Sequence, residues 1–353
     1  MMTLRQYVLH CLKNEEFAYY WGMDNLELPS EEKQSNLDGQ DDDIEDLIKE
    51  KQMSHFETYK NGNYRVFINL ENGTKIRKND LDFFEATSPE SFDLKITNRC
   101  NHGCLMCHEK STWNGKHGDI LNQKFFDTCH PYTEIAIGGG NPLEHPDLEA
   151  FLEMCKEHRF IPSMTVHQMD FMERKEYLKK LCDEKLLYGL GVSVSVVKPE
   201  LIEALKEFPN AVVHLIAGLT PIERFLQLKN NNLKILILGY KIFGRGEHLY
   251  ETIGDTILDN IRDLRRDLKT MIDEGWFKVV SFDNLAIRQL EVKNLMSKKQ
   301  WDEFYMGDDG TATMYIDLVN NEFAVCSTAV DRFPIMDNID DMFSIVKNQT
   351  KTK

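Results

Sequence analysis

The chain has 353 residues, of which 42% are apolar and 28% are charged, and this balance excludes a disordered or fibrous protein. Its 42 Lys and Arg against 58 Asp and Glu leave a formal net charge of −16, which argues against bulk nucleic acid as a partner. The longest apolar runs are far shorter than the roughly 20 residues that span a bilayer, and the start lacks a signal peptide's apolar region. We therefore expect a cytoplasmic protein with no membrane partner.

Residues 1–91 form an acidic N-terminal region. Residues 1–50 contain 13 acidic and four basic residues, and the polar stretch from Pro29 to Asp43 predicts a solvated loop. Asn-Gly pairs at 61–62 and 72–73 flank an alternating run, which predicts a small β-hairpin or meander. We interpret its basic residues as a solvated hairpin face rather than a nucleic-acid site. These residues are Lys60, Arg65, Lys75, Arg77 and Lys78.

Residues 92–246 alternate between strand-like and helix-like segments. Short apolar runs predict strands at 93–97, 134–138, 163–167, 188–194, 211–219 and 233–241. Apolar spacings of three and four predict helices at 123–129, 146–158, 172–184, 199–208 and 221–228. Such repeated strand–helix–strand units build a parallel sheet with right-handed crossovers. Six units are too few for a closed eight-fold barrel, so an open partial barrel or a doubly wound sheet fits the pattern.

Residues 247–353 depart from that rhythm and predict an α+β extension. A long amphipathic helix is expected at 252–275, ended by Gly275. A strand at 277–282, a helix around 290–304 and two strands within 313–326 follow. The expected buried face of the long helix comprises Ile253, Ile257, Ile261, Leu264, Leu268 and Met271.

Three of the eight cysteines lie together directly after the first strand of the array, as Cys100-Asn-His-Gly-Cys104-Leu-Met-Cys107. In a parallel α/β barrel this is the carboxyl end of a strand, where active sites are built. Thiolates favour iron–sulfur clusters, copper(I) or zinc, and structural zinc prefers paired cysteine knuckles with four ligands. Three thiolates on a 4Fe–4S cluster would leave one iron open to a ligand that is not protein.

This cysteine spacing after the first strand resembles the radical S-adenosylmethionine (SAM) superfamily. The segment Gly139-Gly140-Asn141-Pro142 follows the second strand and resembles the family's Gly-Gly-Glu-Pro segment. Ser193 ends the fourth strand, where the family often carries a polar residue that contacts ribose. Gly244-Arg245-Gly246 follows the sixth strand. The resemblance covers residues 92–245 and implies a (β/α)6 partial barrel.

The resemblance also implies a cofactor set and a reaction. One 4Fe–4S cluster would be bound by Cys100, Cys104 and Cys107, with SAM on the fourth iron and electrons from a flavodoxin- or ferredoxin-type donor. Reductive cleavage of SAM would give a 5′-deoxyadenosyl radical that takes hydrogen from an unidentified substrate. A peptide is favoured over a nucleoside or small metabolite. The residues expected to contact SAM are Met106, Gly138, Gly139, Gly140, Asn141, Ser193 and Arg245.

Two positions depart from the family pattern, and a third has two interpretations. Asn141 stands where the family usually has Glu, and it offers an acceptor oxygen but no charge to the SAM amino group. We therefore expect weaker or differently ordered SAM binding. Met106 stands where an aromatic residue often precedes the third cysteine, and it is apolar and adaptable enough to contact adenine. Arg245 either binds the SAM carboxylate or pairs with an acidic helix.

The remaining cysteines predict no second cluster. Cys11, Cys129, Cys155 and Cys182 lie in helical patterns and are interpreted as core thiols, and Cys326 alone cannot hold an auxiliary cluster. A different function remains open for the chain, a non-catalytic zinc-binding protein that binds a partner through its acidic N-terminus.

The substrate side of the barrel is assigned to the C-terminal extension. Residues 277–330 are expected to close the barrel mouth, with Asp308, Asp309 and Asp317 as candidate polar groups facing the substrate. Three histidines in or after the cysteine motif are interpreted as parts of a polar, solvated loop, with a catalytic role as the alternative. They are His102, His108 and His117.

Overall fold

The computed structural model of the chain describes residues 56–71, 73–79, 81 and 83–351. Cys11 and the polar stretch from Pro29 to Asp43 lie outside the described residues. No helix in the described ranges is both long and apolar enough to pass through a bilayer.

A three-stranded antiparallel sheet precedes the main body of the chain. Its strands are β1 (Phe56–Asn61), β2 (Tyr64–Asn69) and β3 (Lys75–Lys78), in the order β1-β2-β3. Gly62 has a φ of 57°, the left-handed conformation that a tight turn after β1 requires and that glycine adopts at little cost. The predicted hairpin or meander is confirmed.

Two basic residues of this small sheet, Lys75 and Arg77, are paired with acids. Lys75 Nζ lies 3.2 Å from Glu90 Oε2, and Arg77 Nε lies 2.8 Å from Glu90 Oε1. The side chains of Lys75 and Arg77 are only 12% and 11% exposed. The predicted solvated face is therefore wrong for these two residues, because both side chains contact the buried carboxylate of Glu90.

The main sheet contains ten strands, which follow in chain order. They are β4 (Ser91–Thr97), β5 (Glu134–Gly139), β6 (Ile161–His167), β7 (Gly189–Ser193), β8 (Ala211–Ile216), β9 (Lys234–Leu238), β10 (Val279–Phe282), β11 (Thr313–Asp317), β12 (Glu322–Ala324) and β13 (Phe333–Pro334).

Helices connect and cover these strands. They are α1 (Leu148–Glu157), α2 (Gln168–Glu173), α3 (Lys175–Asp183), α4 (Pro199–Lys206), α5 (Ile222–Leu228), α6 (Arg245–Asp273), α7 (Asn284–Gln289), α8 (Lys298–Phe304) and α9 (Ile339–Lys351). Short 3-10 turns occur at Lys124–Thr128, Pro142–Glu144 and Val292–Leu295.

The strand order across the main sheet is β10-β9-β8-β7-β6-β5-β4-β11-β12-β13. Neighbours from β10 to β11 are parallel, and β12 and β13 add in antiparallel orientation. Among the described residues no pairing joins β10 to β13, so the sheet is open. This agrees with the predicted α/β partial barrel, a fold class that is confirmed.

Alternation along the strands separates the two faces of the sheet. On β4, Phe92, Leu94 and Ile96 are buried on one face, and Phe92 meets Phe125 edge to face with ring centroids 6.4 Å apart. Successive strand residues point to opposite faces, so Asp93 and Lys95 lie on the other face. The apolar face packs on the connecting segments and forms the core.

Several predicted helices differ from the observed ones. The segment 123–129 is only a 3-10 turn, and the segment 172–184 is split into α2 and α3 at Arg174, whose φ is −110°. The long helix begins earlier than predicted, at Arg245, and has non-helical dihedral angles at Ile253. Ile253 is 36% exposed and does not belong to the buried face.

The predicted helix at 290–304 is interrupted. Glu291 has a φ of 52°, which ends the helical path after α7, and a 3-10 turn follows. A new helix, α8, starts at the capping box of Ser297 and Gln300. The apolar pattern at 290–304 therefore continues across a point where the backbone is not helical.

The C-terminal strands extend the sheet on both sides of the six-strand array. β10 pairs in parallel with β9, and β11 pairs in parallel with β4. The closing of the barrel mouth by residues 277–330 stays a prediction.

Candidate functional site

The cysteine motif lies in a long loop that returns to the strand from which it departs. After β4, Cys100 N donates to Thr112 O at 2.8 Å, and Gly118 N donates to Ile96 O at 2.8 Å. A Cβ on Gly115 would lie 1.9 Å from Asn98 O, so only glycine permits this close return. These backbone contacts hold both ends of the cysteine loop at the carboxyl end of β4.

The three motif thiols are free and half-buried. Burial raises the pKa of Cys100 and of Cys104, and the neighbouring motif thiols raise both further. A bound cation would reverse this by favouring thiolates. No three His, Cys, Asp or Glu side chains in the described ranges converge on a single metal ion. The soft donor set fits an iron–sulfur cluster, which spreads its ligands over several irons.

Arg245 holds the cysteine loop from the opposite end of the array. Its backbone N donates to Cys107 O at 3.0 Å, and its guanidinium donates through Nε to Cys104 O at 3.0 Å and through Nη1 to Ser111 O at 2.9 Å. These contacts serve the loop backbone rather than an acidic helix. Contact of Arg245 with a SAM carboxylate stays a prediction.

The glycine before Arg245 allows this clamp to form. Gly244 has a φ of 66°, and a Cβ there would lie 2.3 Å from His108 O. The turn between β9 and α6 therefore packs its backbone directly on the residue after the third cysteine.

The glycine segment after β5 is joined to the same loop. Gly140 N donates to Thr97 O at 2.7 Å, and Asn141 N donates to Arg99 O at 2.7 Å. A Cβ on Gly140 would lie 2.2 Å from Arg99 O, whereas a Cβ on Gly138 would meet nothing within 4 Å.

Gly139 resembles Gly140 in this respect. Its φ is 104°, and a Cβ there would lie 2.4 Å from Thr97 O. Contacts with protein backbone therefore explain why positions 139 and 140 are glycine, whereas the space beside Gly138 is open. Contact of Gly138, Gly139 and Gly140 with SAM stays a prediction.

Asn141 is buried, with 6% of its surface exposed, and its side chain is engaged by the protein. Oδ1 accepts from Leu143 N at 3.2 Å, and Nδ2 donates to Asp170 Oδ2 at 3.2 Å. The oxygen that we expected to meet the SAM amino group thus caps the following 3-10 turn. The contact of Asn141 with SAM stays a prediction.

Asp170 is a site residue that the sequence interpretation missed. It lies on α2, directly after β6, and its Oδ2 also lies 2.5 Å from His102 Nε2. His102 belongs to the cysteine loop and packs against His167, with ring centroids 4.1 Å apart and ring planes tilted by 31°. The position of Asp170 just past the third strand was the available signal, since neighbouring parallel strands end at one edge.

The other expected SAM contacts lie at or near this edge. Met106 is partly buried and packs against the core. Ser193 ends β7 and is half-buried, in register with His167 and His214. These positions are compatible with adenine and ribose contacts, which remain predictions.

His214 on β8 is a second residue that sequence reasoning missed. A Cβ on Gly191 would lie 2.4 Å from its Cε1, so the glycine on the neighbouring strand makes room for the imidazole. Burial lowers the pKa of His214 to about 4, which keeps the ring neutral near pH 7. Its signal was a histidine inside an alternating strand.

A buried polar network links the cysteine loop to the C-terminal strands. Lys95 Nζ lies 2.7 Å from Glu109 Oε2, and Tyr315 OH donates to Glu109 Oε1 at 3.0 Å. Lys241 Nζ donates to Ser327 Oγ at 2.9 Å and lies 3.4 Å from His108 Nε2. The C-terminal extension therefore contacts residues that directly follow the third cysteine.

The three acids expected to face the substrate have protein partners. Asp317 is 2% exposed, lies 3.1 Å from Lys95 Nζ and caps the turn after β11. Asp308 accepts from Tyr305 OH at 2.6 Å, and Asp309 accepts from Asn284 Nδ2 at 2.7 Å. Their contact with a substrate stays a prediction.

The structure also locates His117 and the described cysteines outside the motif. His117 Nδ1 lies 2.9 Å from Thr97 Oγ1. Cys155 is fully buried in α1, and burial raises the pKa of Cys129, Cys155 and Cys182, the last to about 11. Cys326 Sγ lies 3.5 Å from Thr328 Oγ1.

Comparison with known proteins finds relatives for part of the chain. A GTP 3′,8-cyclase of Nautilia profundicola is 29% identical over 129 residues, which are 34% of this chain and 40% of that protein. A probable GTP 3′,8-cyclase of Methanococcus maripaludis is 28% identical over 148 residues, which are 38% of this chain and 48% of that protein. The matches thus span less than half of the length of these relatives. No protein-family model matches the chain.

Solved structures resemble a larger part of the chain. Streptococcus suis SuiB bound to S-adenosylmethionine superposes with a TM-score of 0.55 at 13% identity, covering 84% of this chain and 89% of SuiB. SuiB bound to its precursor peptide SuiA gives a TM-score of 0.54 at 14% identity, covering 85% and 90%. At such identity this likeness shows the fold alone. The sequence relatives confirm the resemblance to the radical SAM superfamily, and the solved structures confirm the fold.

Proposed function

We propose that the chain uses a 4Fe–4S cluster and SAM to remove a hydrogen atom from its substrate. The observation that carries this proposal is the three-thiol loop and its backbone connection to the glycine segment. Cys100, Cys104 and Cys107 are free on one loop at the carboxyl end of β4, and Gly140 N and Asn141 N bond to the start of that loop. The cluster ligands and the SAM cradle are thereby held as one unit.

The residues have distinct proposed roles around this unit. Cys100, Cys104 and Cys107 hold the cluster, and the open space at Gly138 receives the methionine part of SAM. When bound, the cluster and SAM supply one-electron cleavage chemistry that generates a 5′-deoxyadenosyl radical. Arg245 donates hydrogen bonds to the loop carbonyls of Cys104 and Ser111, so the loop is already ordered before the cluster binds.

The remaining proposed contacts concern the adenosine part of SAM. Met106 offers an apolar surface to adenine, and Ser193 offers a hydroxyl to ribose at the end of β7. The neutral imidazole of His214 lies one strand further and would donate or accept a hydrogen bond without adding charge.

A peptide is the proposed substrate. The likeness to SuiB extends over 84–85% of the chain, and one of those structures holds a precursor peptide. The GTP 3′,8-cyclases match only 34–38% of the chain. A nucleotide substrate is the second candidate, favoured by those sequence relatives. A flavodoxin- or ferredoxin-type protein is the proposed electron donor.

Anaerobic reconstitution with iron and sulfide tests the cluster and the reaction together. The protein should turn brown, hold about four irons per chain, and release 5′-deoxyadenosine from SAM after reduction. The triple variant Cys100→Ala, Cys104→Ala, Cys107→Ala should lose both properties, and the matched control Cys326→Ala should keep them. A colourless protein that retains zinc would instead favour the zinc-binding alternative.

The substrate is tested by direct competition. The reconstituted enzyme is incubated with short peptides encoded beside its gene or with GTP, and mass spectrometry follows each candidate. A peptide changed in mass together with coupled 5′-deoxyadenosine release supports the proposed substrate. Consumption of GTP instead would assign the nucleotide.

A further inference from the structure

A carboxylate lies beside the position where the chain lacks the family's glutamate. Asn141 Nδ2 donates to Asp170 Oδ2 at 3.2 Å, and the same oxygen lies 2.5 Å from His102 Nε2. The Asp170 side chain is 13% exposed, so it is largely shielded from water yet still reachable. One acid therefore contacts both the cysteine loop and the glycine segment.

The fold explains why these groups meet. Gly138 and Gly139 end β5, and Asp170 lies on α2 directly after the neighbouring parallel strand β6. Carboxyl ends of neighbouring parallel strands share one edge of the sheet. The residues are far apart in sequence, and the strand order brings them together.

Asp170 has no lysine or arginine partner among the described residues. Its contacts run to a carboxamide and an imidazole, and within the described ranges no Lys or Arg forms an ion pair with it. Glu144, the other acid near Asn141, is paired with Arg99, whose Nε lies 2.9 Å from Glu144 Oε2. Of these two acids, Asp170 is the one that no described Lys or Arg contacts, so the amino group of a ligand would not compete with such a partner.

We propose that Asp170 supplies the acidic partner for the amino group of bound SAM. This inference rests on the proposed function, since it requires that SAM occupies the cradle. The carboxylate has two acceptor oxygens, and only Oδ2 is engaged by the described contacts, so Oδ1 can accept from the amino N–H groups. Asn141 then acts as a positioning residue that orients the carboxylate through its amide.

The first test compares two ligands on one variant. Asp170→Asn keeps the size of the side chain and an acceptor for His102, but it removes the charge. Affinities for SAM and for the deaminated 2-oxo analogue of SAM are measured by anaerobic calorimetry on the oxidised, cluster-loaded protein, where no cleavage occurs. SAM should bind about 10- to 100-fold more weakly to the variant, because a charge-assisted hydrogen bond is lost. The affinity for the analogue should not change.

A matched control and a charge relocation complete the design. Glu173→Gln removes an exposed acid from the same helix and should leave both affinities unchanged. Combining Asn141→Asp with Asp170→Asn moves the carboxylate across one hydrogen bond, and the new amide can still donate to it. This double variant should recover most of the SAM affinity.

The outcomes separate the inference from the proposed function. Equal weakening of both ligands in Asp170→Asn, or no weakening of SAM, overturns the role of Asp170 while the function stands. A double variant as weak as Asp170→Asn also overturns it, and this arm remains readable if the single variant folds poorly. If the unmodified, cluster-loaded protein binds no SAM, the proposed function itself fails.

Discussion

An acid that contacts the N-terminal sheet and an acid at the edge of the main sheet differ in the side chains that they contact. Glu90 is 1% exposed and is paired with both Lys75 and Arg77. Asp170, at the edge that carries the cysteine loop, contacts only uncharged or titratable donors, His102 and Asn141. Glu90 has two cationic partners within the protein, whereas Asp170 has no Lys or Arg partner in the described ranges and is the acid proposed to meet a ligand.

The largest effect should come from removing the paired acid. Glu90→Gln leaves the largely buried Arg77 without its acidic partner and leaves Lys75 with Glu134 alone, so the free energy of unfolding should fall by about 4 kcal/mol. Asp170→Asn, the matched change at the other region, should cost less than about 1 kcal/mol. Chemical denaturation of the cluster-free protein checks both values. Similar losses of stability in the two variants would contradict the proposed difference between Glu90 and Asp170.

Gly140 and Gly138 differ in a similar way, because protein atoms fill the space beside Gly140 and the space beside Gly138 is open. Gly140→Ala places a Cβ against Arg99 O, whose distance of 2.2 Å forces the backbone to move, and should destabilise the protein by about 3 kcal/mol. Gly138→Ala meets no atom within 4 Å, and its stability should stay within about 1 kcal/mol of the unmodified protein. Denaturation midpoints measure the first difference. SAM affinity should fall in Gly138→Ala although the fold is intact.

Substitutions of Arg245 distinguish a residue that holds the cysteine loop from one that binds SAM. Arg245→Ala removes two hydrogen bonds to Cys104 O and Ser111 O, so the cluster-free protein should lose about 2 kcal/mol of stability. Arg245→Lys should restore part of it, since an ammonium can replace one of the donors. Unchanged stability of the cluster-free protein, with weaker SAM binding, would instead assign Arg245 to the SAM carboxylate.

The smallest effect is a dependence on pH. Burial by itself would raise the pKa of Glu90, but Lys75 and then Arg77 outweigh it and hold the pKa below its ordinary value of 4.5. The stability that Glu90 contributes is therefore complete above pH 4.5 and is lost as pH falls through the lower folded-state value. The stability gap between the unmodified protein and Glu90→Gln should narrow in acid. Denaturation at pH 7 and near pH 3 measures it, and a constant gap would contradict the pairing.

Local sequence patterns predicted the elements more reliably than their interruptions. The six apolar runs of the core each correspond to a strand from β4 to β9, because alternation and β-branched content are properties of neighbouring residues. The predicted helix at 290–304 instead breaks at Glu291, where φ is 52°. No periodicity signals such a break, because it depends on how the chain must turn to reach β11.

The sequence by itself determined the cysteine motif, the glycine segment and their order along a parallel sheet, since these follow from spacing and from the short range of backbone sterics. Only the tertiary structure decided what each residue contacts. Arg245 reaches the carbonyls of Cys104 and Ser111, and Asn141 reaches Asp170. These partners lie on different strands and loops, and their contact depends on strand order and loop path, which no local pattern encodes.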